Sequence, residues 1–127
     1  MNVPLSAMIK ILITDDHHLI RKNLRLLLQS KSDLLVVGEA ENGRDAVRRV
    51  LEHCPDVVLM DISMPQMDGI EATRLIKKAC HLTKIIAFSN HTDEFFIQQM
   101  KSAGASDYLL KSSDGRDIEQ TIRNCVS

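Results

Sequence analysis

Four short apolar segments of this sequence end in groups able to work on phosphorus together: Asp15-Asp16, Asp61, Ser89 and Lys111. Three carboxylates converging on one small site repel one another, which raises a pKa or lowers stability unless a cation resides there. Oxygen-only donors suit a hard divalent ion, and Mg2+ is commonly held by one or two carboxylates while keeping several waters. A carboxylate beside such an ion can attack phosphorus and form an aspartyl phosphate. Lys111 would bring a point charge to a phosphate oxygen and Ser89 a hydroxyl donor to another, and phosphoryl transfer needs little more than positioning and charge neutralisation. Singly, each residue has a plainer reading. Asp16 could cap the helix that begins near His17. Asp61 could shape a turn, Lys111 could be solvated, and Ser89 could bond its own backbone. Their convergence is the argument.

That convergence depends on the elements beneath them. The strand candidates are Ile9–Thr14, Leu34–Ala40, residues 57–61, Lys84–Ser89 and residues 108–111. Their near-continuous apolar runs are the habit of parallel strands covered on both faces. Between them the period becomes helical. Leu19, Leu24, Leu27 and Leu28 are placed on one helix face, with Arg21, Lys22 and Arg25 mainly outside it. Residues 44–53 carry Ala46, Val47, Val50 and Leu51 at helical spacing, introduced by Asn42-Gly43 and stopped before Pro55. Residues 70–79, 93–103 and 114–126 read alike, with Gly104 placed as a helix C-cap. Five alternating strand–helix units predict a doubly wound (βα)5 sandwich, with a parallel sheet in the flavodoxin-like order 2-1-3-4-5. In that order the first and third strands are neighbours, and ligands bind beyond the strands' carboxyl ends.

The 127 residues suffice for one core, and the 44% hydrophobic and 26% charged composition is that of a globular protein. With 3% aromatics and no Trp, the core must be aliphatic. A net charge of −1 gives no electrostatic footprint for nucleic acid or an anionic membrane. Cys54, Cys80 and Cys125 are odd in number and widely spaced, which argues against a disulfide framework and for a reducing compartment. No apolar run approaches the ~20 residues of a membrane span. Residues 1–8 are expected to be a leader, with Met8 a candidate start, and residues 9–127 a single domain. A cytoplasmic location is expected.

Asp15-Asp16, the run Val58-Leu59-Met60-Asp61-Ile62-Ser63-Met64-Pro65-Gln66-Met67-Asp68-Gly69, Ser89, and Gly104 through Lys111 together resemble the signature of response regulator receiver domains of bacterial two-component systems. The resemblance spans residues 9–126 and implies a CheY-like fold. Asp-Asp-His-His at the first strand, Val-Val-Gly-Glu-Ala in the second and Tyr-Leu-Leu-Lys in the fifth are similar to the NarL/LuxR-type transcriptional regulators. The resemblance implies that Asp61 is the phosphoacceptor, served by a sensor histidine kinase. It implies that Asp15, Asp16 and Asp61 hold Mg2+ with the backbone carbonyl of Ser63, while Pro65 and Gly69 shape the following loop. It makes Ser89 and Tyr108 a switch pair acting on the face of helix four, strand five and helix five, and implies dimerisation on phosphorylation. DNA binding, in such proteins, belongs to a separate C-terminal domain and is not assigned to these residues. The chain is read as a phosphorylation switch with self-catalysed transfer and autodephosphorylation rather than a turnover enzyme.

Departures from the family pattern are Ser112 where Pro often follows the Lys, Ser89 in place of Thr, and Asn90 where a small residue is frequent. Ser63 and His91, each two residues beyond a site residue, stand at positions that tune dephosphorylation in the family. Phe95, beside an inward Phe96, Met100 and Ala103, is expected to point outward. Rival classes fit less well. A flavin carrier needs a Gly/Ser/Thr phosphate loop where this chain has Asp-Asp-His-His. An Asp-nucleophile phosphatase wants an acid at position 63, which is Ser. A dinucleotide site wants a G-x-G-x-x-G that is absent, and the five dispersed histidines offer no zinc spacing. A His-phosphotransfer module would be all-helical.

Overall fold

The computed structural model describes residues 3–127; Met1 and Asn2 of the expected leader lie outside the described residues. After a 3-10 turn at Leu5–Ala7 the chain runs β1 (Ile9–Thr14), α1 (His18–Gln29), β2 (Leu34–Ala40), α2 (Gly43–His53), β3 (Val57–Met60), α3 (Gly69–Ala79), β4 (Lys84–Ser89), α4 (Glu94–Ala103), β5 (Asp107–Leu110) and α5 (Gly115–Val126). All strands are parallel and lie in the order β2-β1-β3-β4-β5, as the alternation predicted. A register shift between Ile11 and Leu12 relieves the longest pairing, that of β1 with β2.

Strand alternation splits the core in two. Ile11, Ile13, Val57, Leu59, Ile86 and Phe88 pack with Leu24 and Leu28 of α1 and Ile118 and Ile122 of α5. Leu12, Val58, Met60, Ile85 and Ala87 pack the other way, onto Ala46, Val50, Ala72, Ile76 and Met100. Both faces of the sheet are thus dry, which is why the strands read as unbroken apolar runs. Asn42, Asp68, Asp93 and Asp114 each cap a helix by accepting a hydrogen bond from a first-turn backbone N–H. Gly104 ends α4 at φ 115°, in the left-handed region, as its placement predicted.

Two helical positions differ from expectation. Leu19 is 65% exposed and Leu51 57% exposed. At 100° per residue the inward stripe of α1 is Ile20, Leu24, Leu27 and Leu28, and Leu19 lies outside that arc. On α2, Ala46, Val47 and Val50 face the core, and Leu51 falls one position past them. β3 stops at Met60 and β5 at Leu110. Asp61 and Lys111 therefore stand one residue beyond their strands, on the carboxyl edge. Phe95 is exposed and Met100 and Ala103 are buried, as the spacing of α4 required.

Candidate functional site

The carboxyl edge of β1 and β3 is tied together beyond the formal strands. Asp15 N donates to Ala40 O at 3.0 Å and Asp61 N to Thr14 O at 3.1 Å, so the ladder carries both acids into the site. Arg21, a half-buried residue of α1, reaches the Asp15 carbonyl at 2.7 Å and Glu39 at 3.0 Å. Sequence reading put this arginine mainly outside the apolar face; its fork instead fixes the backbone that presents Asp15. Buried together, Asp15 and Asp61 bring two negative charges under the rim, while Asp16 sits partly exposed above them.

One cation answers them from below. Lys111, its side chain 8% exposed, lies 2.7 Å from Asp15 Oδ2 and 3.4 Å from Asp61 Oδ1. Asp15 Oδ2 is buried and accepts no regular hydrogen bond, so the charge of the ammonium is what holds it. Burial, followed by the charge of Asp15, pushes the Asp61 carboxyl up to about 6, against the downward pull of Lys111. Ligand atoms of Asp15, Asp16, His17 and Asp61 all lie within 4.8 Å of one another. These are hard oxygen donors with one imidazole, close enough to share a divalent ion.

His17 is the member that sequence reading missed. Its Nδ1 sits 2.8 Å from Asp15 Oδ1 and 3.1 Å from Asp16 Oδ1. The hydrogen bond that the ring donates to Asp15, then the charges of Asp16 and Asp15, hold its pKa above the ordinary histidine value. The capping role offered as an alternative for Asp16 is not taken up: His17 is the N-cap of α1 and no side chain caps that helix, while Asp15 Oδ1 accepts from His17 N at 2.9 Å in a local turn before it.

Ser89 and Tyr108 meet around His91. Ser89 Oγ, buried, accepts from His91 N at 3.0 Å, and the Tyr108 hydroxyl donates to His91 O at 2.9 Å. Burial raises the phenol's pKa. The His91 ring bonds Ser63 Oγ at 3.0 Å and stacks on Phe96 at 4.2 Å between ring centroids. Ser63 itself is exposed on the loop after Asp61. That loop is clamped to α2 by Gly43 N donating to Met67 O at 2.9 Å, and to its own start by Gly69 N donating to Ile62 O at 2.7 Å.

Gly69 has a steric duty. A Cβ there would lie 2.0 Å from the Asp61 carbonyl oxygen, an approach that only backbone movement relieves. Gly69→Ala is accordingly expected to destabilise the fold by about 3 kcal/mol, the upper range for overpacking. Urea denaturation checks this, and a variant within error of the parent would mean that the loop yields freely.

The response regulator receiver domain model matches residues 11–123 of the chain. The chain belongs to this family. As a receiver it is 41% identical over 116 residues to the transcriptional regulatory protein LiaR of Bacillus subtilis, covering 91% of this chain and 55% of that protein. It is 40% identical over 120 residues to the response regulator UvrY of Escherichia coli, covering 94% of this chain and 55% of that protein. The chain thus spans about half the length of the curated relatives it matches. Among solved structures, the signal receiver domain of NarL from Mycobacterium tuberculosis superposes with a TM-score of 0.88 at 30% identity, covering 93% of this chain and 95% of that one. Both the NarL/LuxR-type affinity and the CheY-like fold read from the sequence hold for this receiver. No helix among its described residues is long and apolar enough to cross a membrane.

Proposed function

We propose that this receiver takes a phosphoryl group from the phosphohistidine of a sensor histidine kinase onto Asp61. The observation that carries the reading is the packing of Asp15, Asp16 and Asp61 into one cluster with the buried Lys111 against two of them. Asp15, Asp16 and Asp61, with the backbone carbonyl of Ser63, are the residues to hold Mg2+. The excess of carboxylates over cations in the cluster fits such an ion. When bound, the ion neutralises charge on the transferring phosphoryl group.

The chain's own residues do the rest. A carboxylate with a pKa of about 6 is ionised at neutral pH yet poorly solvated, which suits a nucleophile. An Asp61 oxygen forms the new P–O bond while the donor's P–N bond breaks and the histidine nitrogen recovers a proton. Lys111 exchanges its contact with Asp61 for a phosphoryl oxygen, and Ser89 donates its hydroxyl to another. Drawing Ser89 inward releases its bond from His91 N, and with it the carbonyl that Tyr108 holds. That couples the acceptor to the surface of α4, β5 and α5. The domain thereby acts as a single-turnover switch that also loses its phosphoryl group by hydrolysis. Two relatives are named as a transcriptional regulatory protein and a response regulator. The output is accordingly assigned to transcription, through a DNA-binding domain outside these residues, in a cytoplasmic protein that pairs with a second copy when phosphorylated.

Incubation with acetyl phosphate and Mg2+, read by intact mass and peptide mapping, is expected to add one phosphoryl group at Asp61 and none when EDTA is present. Failure of both this adduct and any amide shift with beryllofluoride would overturn the reading.

A further inference from the structure

We infer that His17 is a fourth ligand of the acidic pocket, giving it a preference for borderline transition ions over Mg2+. The inference rests on the reading of Asp15, Asp16 and Asp61 as metal ligands and goes beyond it. An octahedron with bonds of about 2.1 Å separates neighbouring ligand atoms by about 3 Å. His17 Nδ1 stands 2.8 Å from Asp15 Oδ1, in a hydrogen bond whose Nδ1 proton is released to solvent when the ion takes its place, and 3.1 Å from Asp16 Oδ1, spacings that octahedral neighbours also have. The Asp61 carboxylate shares the 4.8 Å envelope. His17 N donates to the same Asp15 oxygen, which fixes the main chain from which the ring projects at the pocket. The side chain is 62% exposed at the pocket mouth, so an ion arriving from solvent meets the imidazole without rearrangement of the core.

Donor chemistry sets the consequence. Mg2+ keeps its waters and gains little from nitrogen, so His17 remains outside its coordination shell. Mn2+ and Ni2+ accept imidazole, with Ni2+ the stronger of the two. The oxygen pocket alone would discriminate among these ions less than the pocket with His17 does.

The test titrates the intact chain with MgCl2, MnCl2 and NiCl2 by calorimetry, and records electron spin-echo modulation of the Mn2+ complex. The parent is expected to show coupling to a directly bound 14N, absent from His17→Ala. Ni2+ affinity is expected to fall about tenfold in that variant while Mg2+ affinity changes less than about twofold. His17→Gln keeps a side chain able to bond Asp15, so a loss there too separates ligation from local folding. Mn2+ binding without nitrogen coupling, at equal affinity in parent and variants, overturns the inference and leaves the three-carboxylate reading intact. Absence of any Mn2+ binding overturns both.

Discussion

Replacing Lys111 with Met is expected to slow phosphoryl transfer from acetyl phosphate to Asp61 by about 10²–10³-fold, the usual loss when one preorganised charge or donor leaves such a site. Lys111 is the only lysine or arginine whose side chain pairs with the buried acids among the described residues. Its removal leaves Asp15 and Asp61 facing each other without their buried ammonium, and the phosphoryl oxygens without theirs. Mg2+ affinity is expected to move in the opposite sense. Unit charges about 4 Å apart interact by about 4 kcal/mol at an effective dielectric of 20. Part of that repulsion between ammonium and incoming ion is already relieved by water and by the acids. Tighter Mg2+ binding, by about tenfold, is the expected net result. The opposed signs separate chemistry from folding, since an unfolded variant would lose both. Intact-mass time courses and calorimetry give the two readings. A folded variant that accepts phosphate at the parent's rate would reduce Lys111 to a structural counter-ion of Asp15.

The sequence carried the architecture because the two periods are clean in it. Unbroken runs such as Val57 to Met60, set between helical stretches, read as strands covered twice, and the polar residues closing four of the five runs mark the carboxyl edge. Asp15, Asp61 and Lys111 were therefore legible as one site before any coordinates, although no single one of them was. What escaped has a common cause. Leu19 and Leu51 were placed by approximate helical spacing, but burial on a helix is an angle, and both lie outside the inward arc. Arg21 read as a surface charge because periodicity locates a Cα and not the tip of a long side chain. His17 was visible in Asp-Asp-His-His, but which of four adjacent polar residues turns back into a pocket depends on the loop's dihedrals. The same limit hid the contacts of His91, whose position was marked but whose backbone and ring meet Ser89, Tyr108, Ser63 and Phe96 at once.

Asp61→Asn is expected to abolish the adduct and, without metal, to make the protein more stable than its parent at neutral pH. The sign follows from linkage. Asp61 titrates at about 6 in the fold against 3.8 for the ordinary group, so the folded state binds its proton more tightly than the unfolded chain does. Its contribution is fully present below about pH 4 and is lost as pH rises through about 6. The ionised group then withdraws up to about 3 kcal/mol. Asn cannot ionise and keeps nearly the same shape, so it escapes that loss. Urea denaturation in EDTA is expected to show the variant ahead by about 2–3 kcal/mol at pH 7.5, with the gap closing towards pH 4. His17, whose pKa is also raised, is present in both proteins and largely cancels from the difference. Saturating Mg2+ is expected to narrow the gap, because the parent alone offers all three carboxylates. Equal stabilities at pH 7.5 without metal would mean that Lys111 already neutralises Asp61. The acid would then have its ordinary pKa, and its burial would give it no heightened reactivity as a nucleophile.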